Sequence, residues 1–355
     1  MSKVLWIIGA GASKHLGMPL LNEFRSFFRE IWWRYPENRR DPQFQDSVPC
    51  SIGIMECYPD QNIEQLLLQS SPLTESNRIV LKKAIGRSFE RRQLGRFARL
   101  RESHTPGIQH KFDAYARLLC CMEDGDAIIS FNYDNAFEFV LACMSSDFRL
   151  LNVSELIQGD LSALELQGRD LWIPNELQER LSSLSVHYQP STSFAGDAPK
   201  FGNGTTNINL LKIHGSINWY ADIGQLIHVG SPRNSAESLL LAYPEPNKPE
   251  TLERPLSDIM SQAKSLLGQF NKIVVIGYSF PSSDSTGHPF VVDLTQSMNQ
   301  KKVLAVDPYP GAELTRILSA ADSKLIVSES FEAAFNSQKF SGSSLPDYVI
   351  GFRGN

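Results

Sequence analysis

"LWIIGAGASK", residues 5–14, is the stretch that decides how this chain is built. From Lys3 to Gly9 the residues are nearly all apolar, β-branched or aromatic, as expected for a strand buried on both faces of a parallel sheet. The run ends in Gly9-Ala10-Gly11-Ala12-Ser13. Residues this small let a backbone approach a pyrophosphate, and a helix that follows turns its free N–H groups and positive dipole end toward the anion. The dehydrogenase fingerprint needs a third glycine at its sixth position and an acid at the end of the next strand, about 20 residues on. This chain has Lys14 at the first of these positions and "FRSFFREIWWRY" (24–35) near the second, a helical pattern. An ordinary nicotinamide dehydrogenase is therefore not expected. A tight strand-to-helix turn with no ligand is the plain alternative.

Further along, helical spacing runs from Pro19 to Tyr35, with Leu20, Phe24, Phe27, Phe28 and Ile31 on one face. Residues 36–59 read as a loop rich in Pro, Asp and Asn. Helices are expected over 62–69, over the basic stretch 77–101 and over 110–122. The strand rhythm then returns at 127–134, 208–216, 272–280, 302–308 and 324–330, with short extra strands at 226–230 and 239–244. Helical patterns at 255–270 and 311–320 separate the later strands. This alternation predicts an α/β fold with a Rossmann-like parallel sheet. Its first strand is cut off from the others by about a hundred residues of helix. The predicted core comprises about 1–20, 120–145 and 205–340, within one domain spanning 1–340. Helical insertions at about 20–118 and 150–200 would form a second, mostly α subdomain, and 341–355 a loosely held tail.

Composition excludes several classes. At 42% apolar and 21% charged residues the chain is an ordinary globular protein, and a net charge of −5 argues against generic nucleic-acid binding. It has no run of 18 apolar residues, so no membrane span is expected. The strand pattern begins after a single lysine, leaving no signal-peptide pattern. Five cysteines with no CxxC pair suggest a reducing cytoplasm and no zinc module.

Several expected strands end in polar residues. These are Asn132 and Asp134, His214 and Ser216, Gly277 and Ser279, and Asp307. In a parallel sheet the ligand crevice lies beyond the carboxyl ends of the strands, so these groups and the glycine turn would converge there. Each has a plainer reading as well. Asp134 fits a helix N-cap, Ser279 and Asp307 fit turns, and a lone histidine after a strand is commonly structural. It is the ordered set that points to a site.

That ordered set resembles the sirtuin-type NAD-binding family, in particular its prokaryotic, sirtuin-like branch associated with anti-phage defence and NAD hydrolysis. The likeness rests on Gly9–Ser13 with Gly17-Met18-Pro19, Asn132-Tyr133-Asp134, Lys212-Ile213-His214-Gly215-Ser216, Gly277-Tyr278-Ser279-Phe280 and Val306-Asp307-Pro308. The matched positions span residues 9 to about 308, and the motifs are short. Two features depart from the family's deacylases, which carry paired CxxC zinc motifs and a glutamine where this chain has Phe131. The zinc module helps to form the acyl-lysine cleft, so its absence argues against deacylation.

The resemblance implies NAD+ as substrate, with no metal, and hydrolysis to nicotinamide and ADP-ribose. It makes Asn132, His214 and Asp134 catalytic, with Asp134 either orienting Asn132 or offsetting charge. Gly9, Ala10, Gly11, Ser13 and Pro19 would hold the pyrophosphate end, Gly277 and Ser279 the phosphate and ribose region, and Asp307 the adenosine ribose. It further implies a gated activity, in a homo-oligomer or with a partner such as a ring-forming ATPase or a short Argonaute. A non-catalytic NAD- or ADP-ribose-binding subunit is the alternative. A deacylase or an ADP-ribosyltransferase is a third option. The basic helix from Arg87 to Arg101 reads either as an interaction face or as a solvated surface.

Overall fold

The computed structural model describes residues 2–34, 42–67, 71–102, 114–145, 151, 175–221, 226–230, 238–242, 254–280, 289–299, 301–319, 321, 323–327, 330–336, 349 and 352–353. Among them are eleven strands. The first five are β1 (Val4–Ile8), β2 (Ala127–Ser130), β3 (Leu184–Tyr188), β4 (Lys200–Phe201) and β5 (Thr206–Lys212). Then come β6 (Gly215–Ala221), β7 (His228–Val229), β8 (Ser238–Leu241), β9 (Lys272–Ile276), β10 (Lys302–Val306) and β11 (Ser323–Val327).

Eight of these strands form one sheet, in the order β11-β10-β9-β1-β2-β5-β3-β4. Every pairing in it is parallel except that of the edge strand β4 with β3. The run β5-β2-β1-β9-β10-β11 is the doubly wound order 3-2-1-4-5-6, so the expected Rossmann-like α/β sheet is present. Its direction of winding switches between β1 and β9. β1 is central and all five of its residues are buried, which is why it reads as an unbroken apolar run. A second, antiparallel sheet has the order β7-β6-β8. The chain passes from β5 into it at Gly215, whose φ of 79° suits glycine.

The helical segment after β1 has its own core. Phe24, Phe27, Phe28 and Ile31 of the helix Phe24–Arg34 pack with Val48, Met55, Leu81, Ile85 and Phe89. Ile217 of β6 joins this cluster and links it to the small sheet.

Three expectations change. The loop expected over 36–59 contains a helix, Pro42–Cys57, with Pro49 inside it. An interior proline removes a backbone hydrogen bond, but here burial of Val48 and Met55 against the helical core outweighs that local preference. The segment expected as an insertion over 150–200 supplies β3 and β4, so from residue 184 it belongs to the main sheet. Val186 and Tyr188 are core residues, whereas the sequence there looks merely polar. The tail is not loosely held at its described residues. Val349 and Arg353 are buried, and Arg353 donates through Nη1 to Asp126 Oδ1 at 3.1 Å and through Nη2 to Asp126 Oδ2. Asp126 also accepts from the Val4 N–H and from Trp6 Nε1 at the start of β1. A carboxylate without water needs such partners, because stripping it of hydration costs several kcal/mol.

No helix among the described residues is long and apolar enough to cross a membrane.

Candidate functional site at the carboxyl edge of the sheet

Strand register aligns the motif residues. Ile8 pairs with Ser130 on one side and with Ile276 on the other, Ser130 pairs with Lys212, and Ile276 with Val306. The strands therefore end flush, and the ladder continues one residue beyond. Gly9 N–H donates to Ile276 O, Phe131 N–H to Ile8 O, Ile213 N–H to Ser130 O and Gly277 N–H to Val306 O. The segments carrying Ser13, Asn132, Asp134, His214, Ser279 and Asp307 thus all leave the sheet at one edge, around the switch between β1 and β9.

Ser13 is the hub of this edge. Its hydroxyl lies 2.6 Å from Asp134 Oδ2, 2.7 Å from the Tyr115 hydroxyl and 2.9 Å from Asn132 Nδ2, which donates to it. The structure thus brings Ser13, Asn132 and Asp134 into direct contact. Ser13 is buried, so it reaches Asn132 and Asp134 rather than open solvent. Asp134 also accepts the Ala136 N–H through Oδ1, capping the helix Ala136–Ser145. Asn132 is only 7% exposed, and its Oδ1 is a buried acceptor with no hydrogen-bond donor among the described residues. Such an atom carries a desolvation cost until something donates to it.

Beneath this hub lies a buried polar layer in which Lys212, Asp134 and Ser216 of the motifs meet Gln93, Asn135, Glu138, Tyr188 and Asn218, which no motif contains. Lys212 Nζ donates to the Asp134 carbonyl and, at 3.2 Å, to Glu138 Oε1, which also accepts from the Tyr188 hydroxyl at 2.7 Å. Asn135 exchanges hydrogen bonds with Gln93, and its Nδ2 donates to Ser216 and Asn218, tying the basic helix to the end of β2. Burial pushes the Asp134 carboxyl above its usual range, against the opposing pull of Lys212. The layer holds two carboxyl groups, Asp134 and Glu138, for one ammonium.

The glycines have a task of their own. Gly11 N–H donates to Gly277 O at 2.8 Å, and a Cβ added at Gly9 would sit 2.6 Å from Gly277 O and Tyr278 Cα. The two turns interlock backbone to backbone, which occupies the Gly9 and Gly11 N–H groups. The helix after them, Ala10–Leu16, is 3₁₀ rather than α and closes on Gly17 at φ 81°. Pro19 is buried just beyond, whereas Ala10 is exposed.

His214 is 7% exposed and set among rings: Phe131 edge-on at 5.2 Å and Tyr133 at 6.1 Å. Phe131 in turn stacks on Tyr278 at 4.0 Å, forming an apolar wall where the resembled family has glutamine. Ser279 is exposed, and Phe280 after it is buried with φ 52°, a strained value for a bulky residue. Asp307 is buried and accepts the Tyr309 N–H at 2.8 Å. Burial pushes its carboxyl up, and that hydrogen bond opposes the shift.

Of the basic helix, Arg87, Arg91 and Arg92 have described side chains, and those of Arg96, Arg99 and Arg101 lie outside the described residues. Arg92 is buried, donates to Glu30 at 2.9 Å and lies over the Phe27 ring, so it serves the helical core. An open cleft of about 430 Å³ lies at the opposite edge, between Cys121, Arg180 and Arg353. Its arginines are spent on the Met122 and Cys121 carbonyls and on Asp126. The described residues contain no group of three side chains that could hold a metal ion.

No protein-family model matches this chain, and no curated protein does. The site is therefore argued from its geometry and its chemistry.

Proposed function

We propose that this chain is a sirtuin-like NAD+ glycohydrolase, converting NAD+ and water to nicotinamide and ADP-ribose. The observation that carries the reading is the Ser13–Asn132–Asp134 cluster, at the edge where His214 and Asp307 also leave the sheet, with the buried Asn132 Oδ1 unmatched by a donor. Strand spacing of about 4.8 Å separates the ends of β10 and β2 by roughly 14 Å, a span suited to the two riboses of a dinucleotide. Asp307 then serves the adenosine ribose and Asn132 the nicotinamide ribose.

In this reaction the bond from ribose C1′ to the pyridinium nitrogen breaks, and nicotinamide leaves as a neutral base with the bonding pair. The leaving group needs no proton. Positive charge develops on the ribose, which the acid-rich layer of Asp134, Glu138 and Lys212 favours. Asn132 Oδ1 accepts a hydrogen from the attacking water or from a ribose hydroxyl. His214 takes the proton lost when water bonds to C1′, a step for which imidazole is suited near neutral pH.

An ungated enzyme of this kind would drain its own cell. We infer a cytoplasmic defence effector that acts in a homo-oligomer or with a partner such as a ring-forming ATPase or a short Argonaute. The assay is therefore made on the assembly purified from the native host, with chromatography of the products. It should yield nicotinamide and ADP-ribose in equal amounts. Asn132→Ala and His214→Ala should each lower the rate about 100-fold or more, without loss of thermal stability. Full activity in both variants overturns the assignment. Tight NAD+ binding without turnover makes the protein a binding subunit instead, and transfer to an acyl-peptide or a protein makes it a deacylase or a transferase.

A further inference from the structure

Tyr115 lies outside every motif discussed above, on the helical stretch 114–120, yet its hydroxyl reaches the hub. We propose that Tyr115 is a positioning residue which, through the Ser13 hydroxyl, fixes the direction in which the Asn132 amide faces. The orientation of that amide is a property of the structure alone, whereas its effect on turnover rests on the NAD+ glycohydrolase reading.

The argument is one of proton counting. A serine hydroxyl has one hydrogen to give and two lone pairs to receive with. Ser13 Oγ has three partners: Asn132 Nδ2 at 2.9 Å, Asp134 Oδ2 at 2.6 Å and the Tyr115 hydroxyl at 2.7 Å. The amide nitrogen can only donate, and Ser13 Oγ gives its one hydrogen to Asp134 Oδ2. One lone pair is left for Tyr115, whose phenol must donate. With both lone pairs filled, the Ser13 hydroxyl cannot turn. Asn132 then keeps its NH2 toward Ser13, and its Oδ1 points away as the buried, unmatched acceptor. A flipped amide would offer a second donor where the ligand needs an acceptor.

The phenol is built to hold still. Tyr115 is completely buried, edge-on to Phe137 and Phe331 at 4.9 Å each and stacked on His15 at 5.7 Å. Burial, with Asp134 nearby, pushes its hydroxyl well above the usual phenol range, so it keeps its proton as a donor. Core packing explains the ring, but it does not explain why the one polar atom is aimed at Ser13.

Tyr115→Phe keeps the ring and removes only the donor. The direct readout is the ¹⁵N-correlated side-chain signal of Asn132, identified by its loss in Asn132→Asp. In Tyr115→Phe the Asn132 NH2 signals should shift and exchange faster with water. Those of Asn135, held by Ser216 and Asn218, should stay where they are. Unchanged Asn132 signals overturn the proposal. Turnover is read in parallel. Loss of one neutral hydrogen bond should lower kcat roughly 5- to 10-fold and leave KM within twofold. In a double-mutant cycle, Ser13→Ala/Tyr115→Phe should be no worse than Ser13→Ala alone. Full kcat in a variant whose amide has reoriented overturns the positioning role. A wild-type assembly that leaves NAD+ intact defeats the enzymatic reading, and the amide signals still decide whether Tyr115 sets the orientation.

Discussion

At the scale of single residues, environment rather than identity decides what a side chain can do. Asn132 and Asn135 are three positions apart and both buried, yet the carbonyl of Asn135 is matched to Gln93 while that of Asn132 has no donor among the described residues. The cysteines divide in the same way. Cys50 and Cys57 are exposed, whereas burial pushes the Cys120 thiol up to about 12. Since the thiolate is the nucleophile, Cys120 stays protonated and unreactive at neutral pH. Iodoacetamide at pH 8 on the native protein should label Cys50 and Cys57 and spare Cys120, as read by peptide mass spectrometry. Labelling of Cys120 at the rate of Cys50 would contradict the upward shift of its half-buried thiol. The polar strand-end residues were legible in the sequence because each closes an apolar run. Tyr115 was not, because an aromatic residue in a helical apolar pattern looks like core and nothing local reveals where its hydroxyl points.

At the scale of elements, the two glycine-bearing turns hold each other. The sequence marks Gly9, Gly11 and Gly277 as places where backbone comes close, and it does, but the nearest backbone is the other turn. Gly277 has φ 60°, and an added Cβ would lie 2.3 Å from the Ala12 nitrogen. Gly277→Ala therefore combines backbone strain with a clash that only a shift of the β1 turn relieves. It should destabilise the fold by about 3 kcal/mol or more, read as a fall in the denaturant midpoint. A midpoint unchanged from wild type would mean that the turns are not interlocked. Helix Pro42–Cys57 was hidden for the opposite reason, since Pro49 argues locally against a helix that tertiary burial sustains. β3 escaped notice because its alternating pattern is short and lies in polar surroundings.

At the scale of the whole molecule, the doubly wound order follows from what the sequence displays: apolar runs, helical spacing between them and polar strand ends. How the far end of the chain closes the sheet does not. Arg353 reaches Asp126 across the amino edge, and Lys272 Nζ donates to the Phe352 and Arg353 carbonyls. An arginine among glycines near a terminus gives no periodic pattern to read. Arg353→Ala leaves the Asp126 carboxylate buried without its counter-ion, which should cost about 3–5 kcal/mol. Reversible urea unfolding measures this, and a loss below about 1 kcal/mol would mean that the pair contributes little.

The most direct test of the central claim is hydrolysis of NAD+ in ¹⁸O-labelled water by the assembly purified from its native host. The account predicts release of nicotinamide together with ADP-ribose carrying one heavy oxygen, and the loss of both products in His214→Ala. Intact NAD+ with the wild-type assembly, or ADP-ribose formed equally fast by His214→Ala, would contradict it.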